Sequence, residues 1–240
     1  MRAAPLSQPI AFLSDIHGNL PALEAVLEDL APRGIAQCFV AGNLLLGGEQ
    51  PLQVWRRLQG LAARCTAGPS DRALATVAAA QLRPKDAAEQ ARADRFRQTQ
   101  AELGEVVLHQ LRELPATLRL PMLDGRELLM VHGSPADPLT SIGHEMEDEE
   151  ILLLLADDAA DIVVCGGTHV PFQRQVGDLW VVNVGSVGEA AGGGHAQYTV
   201  ITPKASGADI EQNWVDLVSY AAKSVGTRPA LRTNSRDDAT

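Results

Sequence analysis

Three times in its N-terminal third this chain repeats one unit: a short apolar run, a polar or glycine-containing loop, then apolar residues at helical spacing. The run at 9–14 (PIAFLS) is followed by Leu20, Leu23, Val26, Leu27 and Leu30. The run at 37–41 (QCFVA) is followed by Val54, Trp55, Leu58 and Leu61, and the run at 64–67 by an alanine-rich stretch. Short apolar runs bounded by turn residues mark strands, and apolar positions recurring on one helical face mark helices. Strands separated by helices pair in parallel, with the helices packed on the sheet. Loops leaving the C-terminal ends of such strands converge, and ligands gather there.

The second half changes rhythm. Residues 87–114 are rich in helix formers, with Phe96, Leu103, Val106, Val107 and Leu111 as the apolar face and a break expected near Gly104. Runs at 127–131 and 161–165 predict strands, and 173–176 and 179–182 flank Gly177-Asp178 as a hairpin. Glycine at the first central position suits a type II′ turn, and 196–201 adds a further strand. The expected fold is α/β, a two-sheet sandwich flanked by helices. With 45% apolar and 21% charged residues a sizeable core forms, so one domain is expected over 1–223. The polar, aperiodic stretch at 224–240 is expected to be a disordered tail.

A formal net charge of -10 with 4% aromatic residues argues against broad attachment to nucleic acid or anionic lipid, which needs clustered cations or stacking platforms. No apolar run reaches the roughly 20 residues that span a bilayer, and none has signal-peptide form, so the expected location is cytoplasmic. Cys38, Cys65 and Cys165 are odd in number, widely spaced and embedded in apolar runs, and read as buried small hydrophobes in a reducing compartment. The acidic residues at 145–150 suit the start of a helix at 151–156 better than a cation site. The glycines at 192–194 read as a flexible turn.

Candidates for chemistry all fall just after a strand: Asp15 and His17, Asn43, the segment from Gly68 to Asp71, His132, and the segment from Gly167 to His169. A single histidine is more often structural than functional. Five strand ends supplying ligand-type residues are accounted for together by a divalent-metal site.

These segments resemble the calcineurin-like metallophosphoesterases, especially compact bacterial phosphodiesterases, across residues 9–220. The family pattern runs D-x-H, G-D, G-N-H-[DE], H-G and G-H-x-H. Here it reads Asp15-Ile16-His17, Gly42-Asn43, Gly68-Pro69-Ser70-Asp71, His132-Gly133 and Gly167-Thr168-His169, with Pro171-Phe172 and residues 183–188 (NVGSVG) as its continuation. The resemblance implies one metal position from Asp15, His17 and His169, with Asn43 in place of the bridging aspartate. The other position keeps only His132 and that shared Asn43. Pro69 stands where the family has an asparagine ligand, Ser70 where it has its catalytic histidine, and Gly167 where it has another histidine ligand.

The chemistry of these departures sets the functional expectation. Two imidazoles and a carboxylate, aided by an amide oxygen from Asn43, suit one Mn, Fe, Ni or Zn ion. A second dication about 3.5–4 Å away, without a bridging carboxylate, is not expected. Ser70 is a poor proton donor, and His144 or His195 are the imidazoles that remain to replace the lost one. Asn19 is expected either to cap the first helix or to touch phosphate, and Asp71 either to serve the site or to cap its helix. The expected function is a noncatalytic or very weakly active protein binding a phosphate-containing small molecule or nucleotide. The alternative is a mononuclear metal-dependent phosphodiesterase or phosphatase. The sequence names no protein partner. A dinucleotide-dependent oxidoreductase is excluded for want of G-x-G-x-x-G after the first strand.

Overall fold

A computed structural model describes residues 5–156 and 160–226. The repeated units become β1 (Ile10–Leu13), α1 (Leu20–Leu30), β2 (Cys38–Ala41), α2 (Pro51–Gly60), β3 (Arg64–Thr66) and α3 (Pro69–Thr76). β1, β2 and β3 pair in parallel, as strand–helix–strand connections require. Each of the three helices begins with proline in its first turn, where the missing N–H has no intrahelical partner to lose.

The chain continues through α4 (Ala87–Arg112), β4 (Thr117–Pro121), β5 (Glu127–Val131), α5 (Asp148–Leu155), β6 (Ile162–Cys165), β7 (Phe172–Val176), β8 (Leu179–Asn183), β9 (His195–Lys204), β10 (Gly207–Asp216) and α6 (Leu217–Gly226). Two five-stranded sheets result, ordered β10-β9-β1-β2-β3 and β4-β5-β6-β8-β7. Each mixes parallel and antiparallel pairs, because hairpins close one edge of the first sheet and both edges of the second. Phe12, Phe39, Leu128, Met130, Val164 and Val182 fill the space between the sheets, with the Phe12 and Phe39 rings stacked 5.4 Å apart. The outer face of the first sheet packs on α1 to α4, and that of the second on α5.

Local expectations are met where turn chemistry dictated them. Gly177 takes φ 60° in the β7–β8 turn, and Gly104 interrupts α4 at φ 68° and ψ 170°. The acidic opening of α5 forms a capping box between Glu147 and Glu150. All three cysteines are free and buried, and burial pushes the Cys65 and Cys165 thiols up to about 12. No helix among the described residues is long and apolar enough to cross a membrane.

Three elements lie outside the sequence reading. β4 is a short edge strand of alternating exposure. β10 is largely polar and is held by its full-length ladder with β9 rather than by its own apolar pattern. α6 carries the chain through 226, so residues 224–226 form a last helical turn instead of the start of a tail. The rest of the expected tail, 227–240, lies outside the described residues.

Candidate metal centre

The loops after β1, β2, β5 and β6 meet at one point, as their shared strand-end placement requires. Six non-glycine residues have left-handed backbones among the described residues, and four of them are here: Asp15 (φ 54°), His17 (51°), Asn43 (54°) and His169 (59°). Such a conformation crowds Cβ and persists only where neighbours hold it. The neighbours are on hand. Asp15 N–H donates to Gly42 O at 3.1 Å and His17 N–H to Asn43 O at 3.0 Å. The Asp15 carbonyl accepts from Gly188 N–H and from the Ser186 hydroxyl, both at 2.9 Å.

Asp15 is fully buried. Its Oδ2 accepts from the Ser14 hydroxyl at 2.7 Å and from Gly167 N–H at 2.9 Å. Its Oδ1 accepts from the Asn43 amide at 2.9 Å and lies 3.3 Å from His169 Nε2, 3.5 Å from His17 Nε2 and 3.9 Å from His132 Nε2. Burial by itself raises this carboxyl. The hydrogen bonds from His169 and His17, the nearby His132 imidazole and the Gly167 N–H outweigh it and hold the group well below the usual carboxylate range.

His17 Nδ1 sits 2.7 Å from the carbonyl of Leu46. A carbonyl can only accept, so Nδ1 carries a proton, and Nε2, which faces Asp15 and His169, is the nitrogen that gives up its proton to meet an ion. The two Nε2 atoms are 3.4 Å apart. Ligand atoms of Asp15, His17 and His169 all fall within 4.8 Å of one another. An ionised carboxylate and oriented imidazoles at that spacing fit one divalent ion of the borderline type.

The other side of Asp15 is built differently. His132 Nδ1 donates to Ala41 O at 2.6 Å, leaving Nε2 to accept from the Asn43 amide at 3.0 Å. Asn43 Oδ1 accepts from Ser70 N–H at 3.1 Å and from the Ser70 hydroxyl at 2.7 Å. A backbone N–H can only donate, so the amide's orientation is fixed with its NH2 between Asp15 and His132. The oxygen that the sequence reading would lend to an ion faces Ser70 in this arrangement. Gly167 has φ 79°, and a Cβ there would lie 2.3 Å from Ser141 Oγ and 3.2 Å from His132 Nε2. The space a side chain would need at 167 is filled by Ser141.

The other candidates have partners of their own within the fold. Pro69 opens α3 and places Ser70 against Asn43. Asp71 is buried and accepts from Leu44 N–H and Gly68 N–H, each at 2.9 Å, tying the loop after β2 to the start of α3. Burial pushes its carboxyl up, opposed by those two donors. Asn19 caps α1 through Ala22 N–H, and its NH2 donates to Gly188 O, so both ends of its amide meet backbone. His144 pairs with Glu145 and His195 bonds Gly193 O, both exposed and with partners outside the cluster.

Sequence reasoning missed Ser14 and Ser141. It also missed Glu189, whose Oε2 lies 3.7 Å from His17 Nε2. Glu189 was findable, since it sits in a glycine-containing loop after β8, the same kind of position as the ligands.

Residues 9–206 match the model of the calcineurin-like phosphoesterase superfamily domain. The phosphodiesterase YfcE of Escherichia coli is 29% identical over 202 residues, covering 80% of this chain and 86% of YfcE. Among solved structures, a metallophosphoesterase from Sphaerobacter thermophilus superposes with TM-score 0.67 at 21% identity, covering 92% of this chain and 95% of its own. A hypothetical protein from Pyrococcus horikoshii OT3 gives 0.70 at 20% identity, covering 92% and 94%. At those identities the structural likeness speaks for the fold alone.

Proposed function

The chain belongs to the calcineurin-like phosphoesterase superfamily, and from that premise we propose that it holds a single divalent ion and binds a phosphate ester with little or no hydrolysis. One observation carries the reading. The Asn43 NH2 donates at once to Asp15 Oδ1 and His132 Nε2, so a neutral group stands where the bridging charge would be and satisfies the His132 nitrogen that a second ion would draw on. Two dications about 3.5–4 Å apart repel strongly unless a carboxylate lies between them. Here the nearest such oxygen belongs to Asp15, already shared with three imidazoles.

Asp15, His17 and His169 would hold the ion, which would supply positive charge for a phosphoryl oxygen. The chain's own groups orient the ester and give little proton transfer. The Ser70 hydroxyl donates its proton to Asn43, and no imidazole occupies 70 or 167. General acid catalysis, worth about 10²–10⁴ in rate, is missing with it. The expected location is the cytoplasm, on the strength of the free, buried cysteines.

A mononuclear phosphodiesterase is the second reading, favoured by the complete Asp15, His17 and His169 trio and by the activity named for the Escherichia coli relative. Metal analysis of the purified protein, together with hydrolysis of bis(p-nitrophenyl) phosphate and binding of inorganic phosphate under added Mn, separates the two. One ion with phosphate binding and no turnover supports the proposal. Two ions per chain, or turnover well above the uncatalysed rate, overturns it.

A further inference from the structure

Between the metal centre and the first half of α4 lies a cavity of about 900 Å³. His17 and Ser70 line it together with Arg83, Arg92 and Arg95. Leu46, Leu82 and Phe96 give it an apolar lining. That volume far exceeds inorganic phosphate and falls at the upper end of small-molecule sites.

Among the described residues, six of the ten arginines outside this cavity pair with a carboxylate. Arg33, Arg57, Arg119, Arg126 and Arg174 each face a carboxylate, and Arg97, on the same helix, faces Asp94. Arg92 and Arg95 have no such partner among the described residues, although the protein is acidic overall. Arg83 meets only the carbonyls of Ala80 and Leu82. Two carboxylates also line the cavity, and each has a partner other than these arginines. Glu89 accepts from Lys85 N–H at 2.8 Å, and Glu189 faces His17. Guanidinium groups left unpaired beside an apolar lining suit an anion carried on an organic body.

We propose that this cavity sets the ligand class: a phosphoester of nucleotide size whose phosphate sits at the metal centre, whose body lies against Leu46 and Phe96, and whose second anionic group is held by Arg92 and Arg95. The proposal rests on the phosphate-binding reading above and adds the second anion to it. It explains why cations are gathered on the first half of α4, close to a centre that by itself needs only a phosphate.

Calorimetric titration in Mn-containing buffer with adenosine 3′,5′-bisphosphate, adenosine 5′-monophosphate and inorganic phosphate tests it. The bisphosphate is expected to bind about tenfold tighter than the monophosphate, the worth of one charge-assisted contact. Arg92→Ala combined with Arg95→Glu should erase that margin. Arg56→Gln, on the exposed face of α2, should keep it, and far-UV circular dichroism confirms that each variant is folded. Equal affinities for the two nucleotides in the unmodified protein, or a margin that survives the double substitution, overturns the proposal. Failure of the phosphate reading looks different. Inorganic phosphate then shows no Mn-dependent binding while the nucleotide margin persists and still depends on the arginines.

Discussion

On one side of the Asp15 carboxylate stand His17 and His169; on the other stand Asn43 and His132. Both sides are made from loops leaving parallel strands, and on both a histidine has its Nδ1 fixed by a backbone carbonyl, Leu46 for His17 and Ala41 for His132. Ring orientation is thus the same device on each side. What differs is the group facing Nε2: an ionised carboxylate and a second imidazole for His17, an amide NH2 for His132. On the proposed reading, this is how a metal position is closed without collapse of its scaffold: a neutral donor meets an acceptor that a cation would otherwise take.

The largest effect should come from the charged half. Asp15→Asn removes the carboxylate of the Asp15, His17 and His169 set, and Mn affinity should fall by more than about a hundredfold, beyond what loss of an outer partner costs. Titration calorimetry reads it directly. If affinity survives, the charge of Asp15 is not what separates the two halves.

Rebuilding the other half is the next largest. Asn43→Asp, Pro69→Asn, Ser70→His and Gly167→His together restore a bridging charge, two ligands and an imidazole. Gly167 has φ 79° and Ser141 Oγ stands where its Cβ would go, so Ser141→Gly must accompany them. The fivefold variant should bind two ions and hydrolyse bis(p-nitrophenyl) phosphate about 10²–10⁴ times faster than the unmodified chain. Single reversions should do little, because such residues act as a unit. Two bound ions with no gain in turnover would place the difference between the halves outside their ligands.

Asp71 tests whether the scaffold itself is shared. Asp71→Ala leaves Leu44 N–H and Gly68 N–H buried without their acceptor, a loss of about 2–4 kcal/mol. A drop in Tm of about 5–15 °C, with metal stoichiometry unchanged, is expected by thermal denaturation. Loss of metal binding at temperatures where the variant is folded would give Asp71 a direct part in the site.

Much of this was legible in the chain. Strand–loop–helix repetition fixes a parallel sheet, and ligand-type residues at successive strand ends must then converge, which places Asp15, His17, Asn43, His132 and His169 before any coordinate is known. Amide direction at Asn43 was not legible, because it depends on the N–H of Ser70, in the first turn of α3. Nor was the obstruction at Gly167, since Ser141 reaches it from a distant segment. β10 escaped notice because its stability lies in pairing with β9, and pairing leaves no period in a polar strand.

The smallest effect is the pH dependence of the charged half, and its sign reverses with metal. Burial lowers the His17 imidazole, but hydrogen bonding to Asp15 and to Leu46, with the charge of Glu189, raises it above its ordinary value. His169 is raised chiefly by its hydrogen bond to Asp15. Without metal, a raised folded value means the native state binds protons more readily than the unfolded chain. That stabilisation is complete below the ordinary imidazole value near 6.5 and is lost as pH rises through the raised values. With metal the same protons compete with the ion, so occupancy grows over the same interval. Tm of the metal-free protein should fall by a few degrees between about pH 6 and 8, while Tm under excess Mn rises. Asp15 stays ionised throughout, being held well below the usual range, so its charge cancels from the difference. Parallel curves with and without Mn would mean that His17 and His169 do not meet the ion, and the division of the centre into a charged and a neutral half would fail with them.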